Sequence, residues 1–307
     1  MQEVLEREII ATAEPSEPES FDWKQVLRDY YDLSKPGIGF YSLITTFASF
    51  WLASTNEIDL PLLIHTMVAT ALVTAGGGSL NQVLEVESDS QMRRTEKRPL
   101  PSGRVSLFAG LLFGVTTSVA GVVYLQLAVN SLAALLAIGT LVGYLFVYTP
   151  LKKRTPLSTV VGAFPGAIPI LIGWVAVKNS IDLRAWTLFA ILFFWQIPHF
   201  LAIAWMYRKD YARAGFKIIT VVDAIGLRAA LKTLAYVLSL VPISLTPTLL
   251  GLTGWIYFGG AFLLGIAFCW SSLQAAVKRT NTAAKQLLFA SILYLPILIA
   301  LMIVDKR

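Results

Sequence analysis

From residue 60 to residue 84 the chain contains no Asp, Glu, Lys or Arg, and similar charge-free runs recur along most of its length. A helix crossing the hydrocarbon core of a bilayer needs about 20 apolar residues. Residues 36–55, 60–84, 155–177, 185–207 and 286–304 each suit one such helix. Residues 105–151 and 233–277 are long enough for two each, with breaks expected near 126–130 and 247–254. Composition agrees: with 56% hydrophobic and 14% charged residues, and a mean hydropathy of +0.65, too little charge is left to cover a soluble surface. The spacing of charge-free runs therefore predicts an all-α integral membrane protein with nine transmembrane helices.

Nine spans make the orientation testable. With the N-terminus on the cytoplasmic side, all but four of the 25 Lys and Arg residues fall on that side, the exceptions being Lys178, Arg184, Lys306 and Arg307. Cytoplasmic connections carry the basic excess in membrane proteins, so a cytoplasmic N-terminus is expected. The pI near 9.4 then reflects basic loops set against anionic lipid heads, and nucleic acid is not needed as a partner. Residues 1–22 carry Glu3, Glu6, Glu8, Glu14, Glu17, Glu19 and Asp22 without an apolar core. They read as a disordered acidic tail rather than a signal peptide, leaving 23–307 as one transmembrane domain. Cys269 is the only cysteine, so neither an internal disulfide nor a cysteine-based metal site is available.

Two connections on the basic side are long and chemically dense, residues 81–104 and 207–228. In the first, Asn81, Glu85 and Asp89 recur every fourth residue, which puts them on one helix face, with Arg93 next on the stripe and Glu87 turned away. An amide and two carboxylates are hard oxygen donors suited to Mg2+, which takes one or two carboxylates together with phosphate oxygens. The same spacing also suits a helix end reaching water, with Glu85 and Asp89 paired to Arg93 and Arg94. The second segment brings His199, Tyr207 and Asp210 off the sixth span, where Pro198 interrupts backbone hydrogen bonding. His199 and Asp210 lie about 20° apart around a helix axis, and Asp210 is placed to face Asp89 across the bundle. Alone, Asp210 reads as a surface acid among Arg208, Lys209 and Arg213. Two acid-bearing helix ends flanked by cations nevertheless describe a diphosphate site, with metal on Asn81, Glu85, Asp89 and Asp210 and basic side chains on the remaining charge.

Other features carry less. The triplet Gly76, Gly77 and Gly78 lacks the Gly-Lys-Ser/Thr of a phosphate loop and is expected to serve close helix packing. His65 is expected to be structural, and Asp223 a turn or cap residue.

Asn81-x3-Glu85-x3-Asp89 resembles the first acidic motif of the UbiA-type intramembrane prenyltransferases. "MRRTEKRPLPSGRVS", "YTPLKKRTPLSTVVGAFPGAIPILIGW" (148–174) and "WQIPHFLAIAWMYRKDYARAGF" (195–216) are similar to the heme-farnesylating branch of that superfamily. The likeness runs from about Lys35 to the C-terminus. It implies nine transmembrane helices bundled around a central cavity, Mg2+ as cofactor, and farnesyl diphosphate and heme b as substrates, with heme O as product. It implies a metal-binding and catalytic first motif at Asn81, Glu85 and Asp89, and a second that includes Tyr207, Lys209 and Asp210. Substrate-binding roles are implied for Arg93, Arg94, Lys97 and Arg98, for Lys152 and Lys153 in the Tyr-x3-Lys block, and for His199 as a heme contact. The implied location is a bacterial-type inner membrane with the site on its cytoplasmic side. A heme-modifying enzyme or cytochrome oxidase assembly proteins would lie downstream. An acceptor other than heme, aromatic or porphyrin-derived, and a non-enzymatic heme or lipid transporter are the competing readings. Gln82 stands where many relatives outside the heme branch have Asp, and the second motif keeps one carboxylate where the quinone branches often have two or three, which leaves the number of metal ions open; Gly37 follows Lys35-Pro36 where Arg is expected.

Overall fold

A computed structural model describes residues 22–55, 57–223 and 225–307. The acidic tail expected over 1–22 lies outside the described residues except for Asp22. That residue is the N-cap of a short helix, its carboxylate accepting from the backbone N–H groups of Lys24 and Gln25.

The capped helix, α1 (Trp23–Leu33), is followed by α2 (Pro36–Ala53), α3 (Leu60–Ser90), α4 (Leu107–Ala128), α5 (Ser131–Leu151), α6 (Ser158–Lys178) and α7 (Leu183–Met206). A two-turn helix, α8 (Arg208–Arg213), precedes α9 (Leu227–Leu249), α10 (Trp255–Lys278) and α11 (Asn281–Val304). Local chemistry starts these helices where it should. Asp59, Ser106, Asn130, Asp182 and Thr280 each accept a backbone N–H two or three residues into the helix they precede. The expected hairpin breaks fall at Val129 and Asn130 and in the turn after Leu249.

Among the described residues, eight helices, α3 to α7 and α9 to α11, are long and apolar enough to cross a membrane. The span expected over 36–55 corresponds to α2, which has 18 residues and is not one of the eight. Its Thr45, Thr46 and Ser49 lower its apolarity, and all three are buried. Thr46 Oγ1 donates to the carbonyl of Pro169 at 3.0 Å, beside Gly173 on α6.

The helices form a closed ring of neighbours: α3 on α4, α4 on α5, α5 on α6, α6 on α7, α7 on α9, α9 on α10, α10 on α11, α11 on α2 and α7, and α2 on α6 and back onto α3. The principal core lies along α6, α7, α9, α10 and α11, where Trp174, Leu188, Leu240, Tyr257, Phe268, Tyr294 and Leu298 are almost wholly buried. At the C-terminus, Lys306 Nζ donates to the carbonyls of Trp51 and Ser54 at 2.6 and 2.5 Å, fastening the end of α11 to the end of α2.

The glycine triplet of α3 does what its composition suggests, and each residue serves a different neighbour. A Cβ at Gly76 would lie 2.2 Å from Ser118 Oγ of α4. One at Gly77 would meet Leu141 of α5 at 3.2 Å, and one at Gly78 would meet the carbonyl oxygen of Ser34 at 2.9 Å. At Gly76 and Gly78 there is no room for a side chain, and at Gly77 one would need Leu141 to give way. At Gly78 the result is local and chemical, because it lets the junction of α1 and α2 press against α3 one turn before Asn81.

Candidate active site

Helix α3 has 31 residues, about 46 Å at 1.5 Å per residue, well beyond the roughly 30 Å of a hydrocarbon core. Its last turns carry Asn81, Glu85 and Asp89, which are 0%, 7% and 2% exposed. The four-residue spacing therefore does form one buried stripe. Glu87 points elsewhere, with its side chain 81% exposed and Lys153 Nζ 3.9 Å away.

Each residue on the stripe is met by a cation of this chain. Lys35 Nζ donates to Asn81 Oδ1, while Asn81 Nδ2 donates to Thr149 Oγ1 at 2.8 Å. Lys152 Nζ reaches both oxygens of Glu85, at 2.8 and 2.9 Å. Arg98 Nη1 reaches Asp89 Oδ2 at 2.8 Å. These three cations come from three separate segments: the start of α2, the connection after α5, and the loop after α3.

Lys35 was not among the residues expected at the site. It adopts a left-handed backbone conformation with φ of 52°, which is uncommon for a residue with a side chain. That turn, with the room left by Gly78, aims its ammonium at Asn81. Burial, helped by the charges of Arg98 and Lys152, outweighs Glu85 and Asp89 and pushes the Lys35 ammonium down to about 7. At Lys152, burial works against the charge, but the oxygens of Tyr148, Glu85 and Tyr144 reverse that and raise its pKa above the ordinary lysine value.

Helix α5 changes pitch as it reaches the site. Gly143–Tyr148 is a π-helical segment, a rare feature that recurs at functional sites. It stacks Tyr144 on Tyr148, with centroids 5.8 Å apart and planes at 17°. Tyr144 Oη is 3.4 Å from Lys35 Nζ, and Lys152 Nζ lies 4.6 Å from the Tyr148 ring centroid. Gly162 on α6 leaves space for the Tyr148 ring, 2.5 Å from where a Cβ would be.

The two dense connections meet as expected, although not through their acids. Met92 packs with Ala204, Ala214, Phe216 and Ile218. The Arg94 guanidinium lies over the rings of Tyr207 and Tyr211, at 5.3 and 6.0 Å. Lys217 N–H donates to the Lys152 carbonyl at 2.7 Å. Asp210, by contrast, pairs with Arg213 of its own helix. Among the described residues no three Asp, Glu, His or Cys side chains converge, so Glu85, Asp89 and Asp210 are not gathered into one cluster. Each of these carboxylates is instead neutralised by a neighbouring base. The expected pairing with Arg93 and Arg94 also differs. α3 ends at Ser90, so the stripe does not continue to Arg93, which is exposed, and the folded-back loop delivers Arg98 instead. Lys97 and Lys209 are exposed.

His199 lies inside the bundle. Its ring stacks on Trp195 at 5.0 Å, and Nδ1 is 2.8 Å from Ser291 Oγ. The Ser291 hydroxyl also reaches the Leu288 carbonyl at 2.6 Å, and when it donates there its oxygen accepts from Nδ1–H, the tautomer that leaves Nε2 with its lone pair. His65 bonds Tyr124 Oη at 2.8 Å, and Asp223 accepts from Ala229 N–H at 3.0 Å, so both have the structural roles expected. Gln82 does not face the stripe. Its amide donates to the carbonyls of Asp32 and Leu33, both at 3.0 Å, and so caps the end of α1.

Comparison with known proteins places these features in context. Residues 42–293 match the UbiA prenyltransferase family. A protoheme IX farnesyltransferase of Solibacter usitatus is 46% identical over 289 residues, covering 91% of this chain and 99% of that protein. One from Salinibacter ruber is 43% identical over 280 residues, covering 91% and 99%. Among solved structures, a digeranylgeranylglyceryl phosphate synthase superposes with a TM-score of 0.76 at 19% identity, covering 91% of this chain and 98% of that one. A UbiA homolog from Archaeoglobus fulgidus bound to GPP and Mg2+ superposes with a TM-score of 0.69 at 14% identity, covering 89% and 99%.

Proposed function

The chain belongs to the UbiA prenyltransferase family, and from that membership we propose that this integral membrane prenyltransferase transfers farnesyl from farnesyl diphosphate to a vinyl group of heme b. The observation that carries the diphosphate part is the buried row Asn81, Glu85 and Asp89, with Lys35, Lys152 and Arg98 already seated on it. The choice of acceptor rests on relatives at 46% and 43% identity that are named protoheme IX farnesyltransferase.

The donor set fits a hard divalent ion. It offers two carboxylates and an amide oxygen on one stripe, and Mg2+ takes few protein oxygens when phosphate supplies others. Asn81, Glu85 and Asp89, with Asp210 from the second connection, would hold it, and bound Mg2+ would supply charge stabilisation to the leaving diphosphate. Lys35, Lys152 and Arg98 exchange their present partners for phosphate oxygens as charge develops there. Arg93, Arg94, Lys97, Lys153 and Lys209 add a positive field around the entrance. The allylic C–O bond breaks with the electron pair leaving on diphosphate, and the farnesyl carbon bonds the terminal vinyl carbon. Water then gives its hydroxyl to the other vinyl carbon and releases a proton, yielding the hydroxyethylfarnesyl heme, heme O. The stacked faces of Tyr144 and Tyr148 stabilise the allylic cation, and the Met92 cluster helps exclude water. Tyr207 supports Arg94 from below. His199, held at Nδ1 by Ser291, would contact the heme, for which a neutral imidazole is a suitable iron ligand. The site opens to the cytoplasmic side of a bacterial-type inner membrane, and heme O passes on to heme-modifying or oxidase-assembly proteins.

The test is to incubate the purified protein with heme b, farnesyl diphosphate and Mg2+ and to weigh the product. A mass equal to heme plus a farnesyl group plus a hydroxyl is expected. Untouched heme, with prenyl transfer to an aromatic or porphyrin-alcohol acceptor instead, would overturn the choice of acceptor.

A further inference from the structure

Helix α1 has two differently finished faces. One is packed: Leu33 is fully buried with Leu100 and Val105, and Tyr30 meets Phe113 edge-on at 5.2 Å. The other is an apolar stripe at helical spacing, Trp23, Leu27 and Tyr31, which are 58%, 60% and 62% exposed. Lys24 and Arg28 follow immediately around the helix, and Asp32 lies beyond them, towards the side opposite the stripe. Apolar residues bordered by bases and then by an acid form the cross-section of a helix lying in a bilayer interface. Exposed apolar side chains follow the stripe along the chain, Ile38 and Phe40 being 53% and 60% exposed at the start of α2.

The same short helix holds parts of the diphosphate site. Asp29, 3% exposed, accepts from Arg104 Nε at 2.9 Å and from Gln25 Nε2 at 3.1 Å. Arg104 also donates to the Lys97 carbonyl at 3.1 Å and to Ser102 Oγ at 2.7 Å, anchoring the loop that carries Arg98. Gln82 grips the last carbonyls of α1, two residues before Lys35. Two of the three cations on the acidic row thus belong to segments that α1 positions.

We propose that α1 is an in-plane membrane-surface helix. Its Trp23–Leu27–Tyr31 stripe enters the acyl region, and Lys24 and Arg28 bind anionic lipid phosphates. Through Asp29–Arg104 and Gln82, that seating sets the positions of Lys35 and Arg98. The second part rests on the diphosphate reading above, whereas the first does not.

The test uses the full chain with Cys269→Ser, spin-labelled at either Leu27→Cys or Asp32→Cys, in nanodiscs of phosphatidylcholine with or without phosphatidylglycerol. The Leu27 label should be reached by oxygen and shielded from a water-soluble nickel chelate, and the Asp32 label the reverse. Adding phosphatidylglycerol should deepen the Leu27 label, an effect lost in Lys24→Gln/Arg28→Gln. Equal chelate access at both positions would overturn the membrane seating, as would a Leu27 label shielded from both reagents, which would mean protein covers the stripe. Inorganic diphosphate with Mg2+ should bind several-fold more tightly in phosphatidylglycerol discs, and equally in both discs for the double variant. Lipid-independent affinity with a correctly seated label would remove the coupling alone. Absence of diphosphate binding in either disc would instead count against the functional reading.

Discussion

Lys35 lies 46 residues before Asn81 in the chain and yet shares its buried site, a pairing that no local spacing announces. Because burial holds it near 7, it is charged below that pH and neutral above. Diphosphate affinity should therefore decline as pH rises from about 7, with the bound anion shifting the decline upward. Lys35→Arg, which stays protonated, should flatten the profile. Lys35→Met should weaken diphosphate binding about 10- to 100-fold, the equivalent of one charge-assisted bond, as titration calorimetry would read. Asp89→Ala and Asp210→Ala are each expected to reduce transfer by about 100-fold or more while the protein still inserts and runs as a single species on size exclusion. Near-normal turnover for Asp210→Ala would leave it as no more than the partner of Arg213. The acidic row itself was legible, since a four-residue repeat is a helical face. The resemblance named Arg98, but its pairing with Asp89 was not legible, because that depends on α3 ending at Ser90 and the loop folding back.

At the level of elements, the charge-free runs gave helix positions and hairpin breaks closely, since bilayer thickness and capping residues set both. The π segment had no such signal. "GYLFVY" reads as ordinary apolar helix, and only packing of Tyr148 against Gly162 and of Tyr144 near Lys35 rewards the wider turn. For α1 the signal was present in the spacing of Trp23, Leu27 and Tyr31, but an 11-residue helix is too short to stand out by hydropathy. The α1–α2 junction offers a direct check on how it supports the site. Gly78→Val would push against the Ser34 carbonyl and should reproduce the roughly 10- to 100-fold loss of diphosphate affinity expected of Lys35→Met. Gly39→Ala, whose Cβ would have only Thr74 Cγ2 at 3.9 Å, should bind like the parent protein.

For the molecule as a whole, ring closure depends on α11 meeting α2, and Lys306 spans that meeting on the face opposite the acidic row. Lys306→Met should lower stability by about 1.5–3 kcal/mol, as hydrogen bonds from a charged group are worth. It should melt earlier in detergent while its diphosphate affinity is unchanged. The three glycines of α3 have a different consequence for the ring. A rod that surrenders its side chains at three successive positions, one to each abutting neighbour, has no azimuthal freedom left. One residue inserted between Gly78 and Asn81 would swing the downstream donors by about 100°, away from Lys35 and Lys152, which other segments supply. Length drift in such a chain can accumulate in its connections, but not in this stretch.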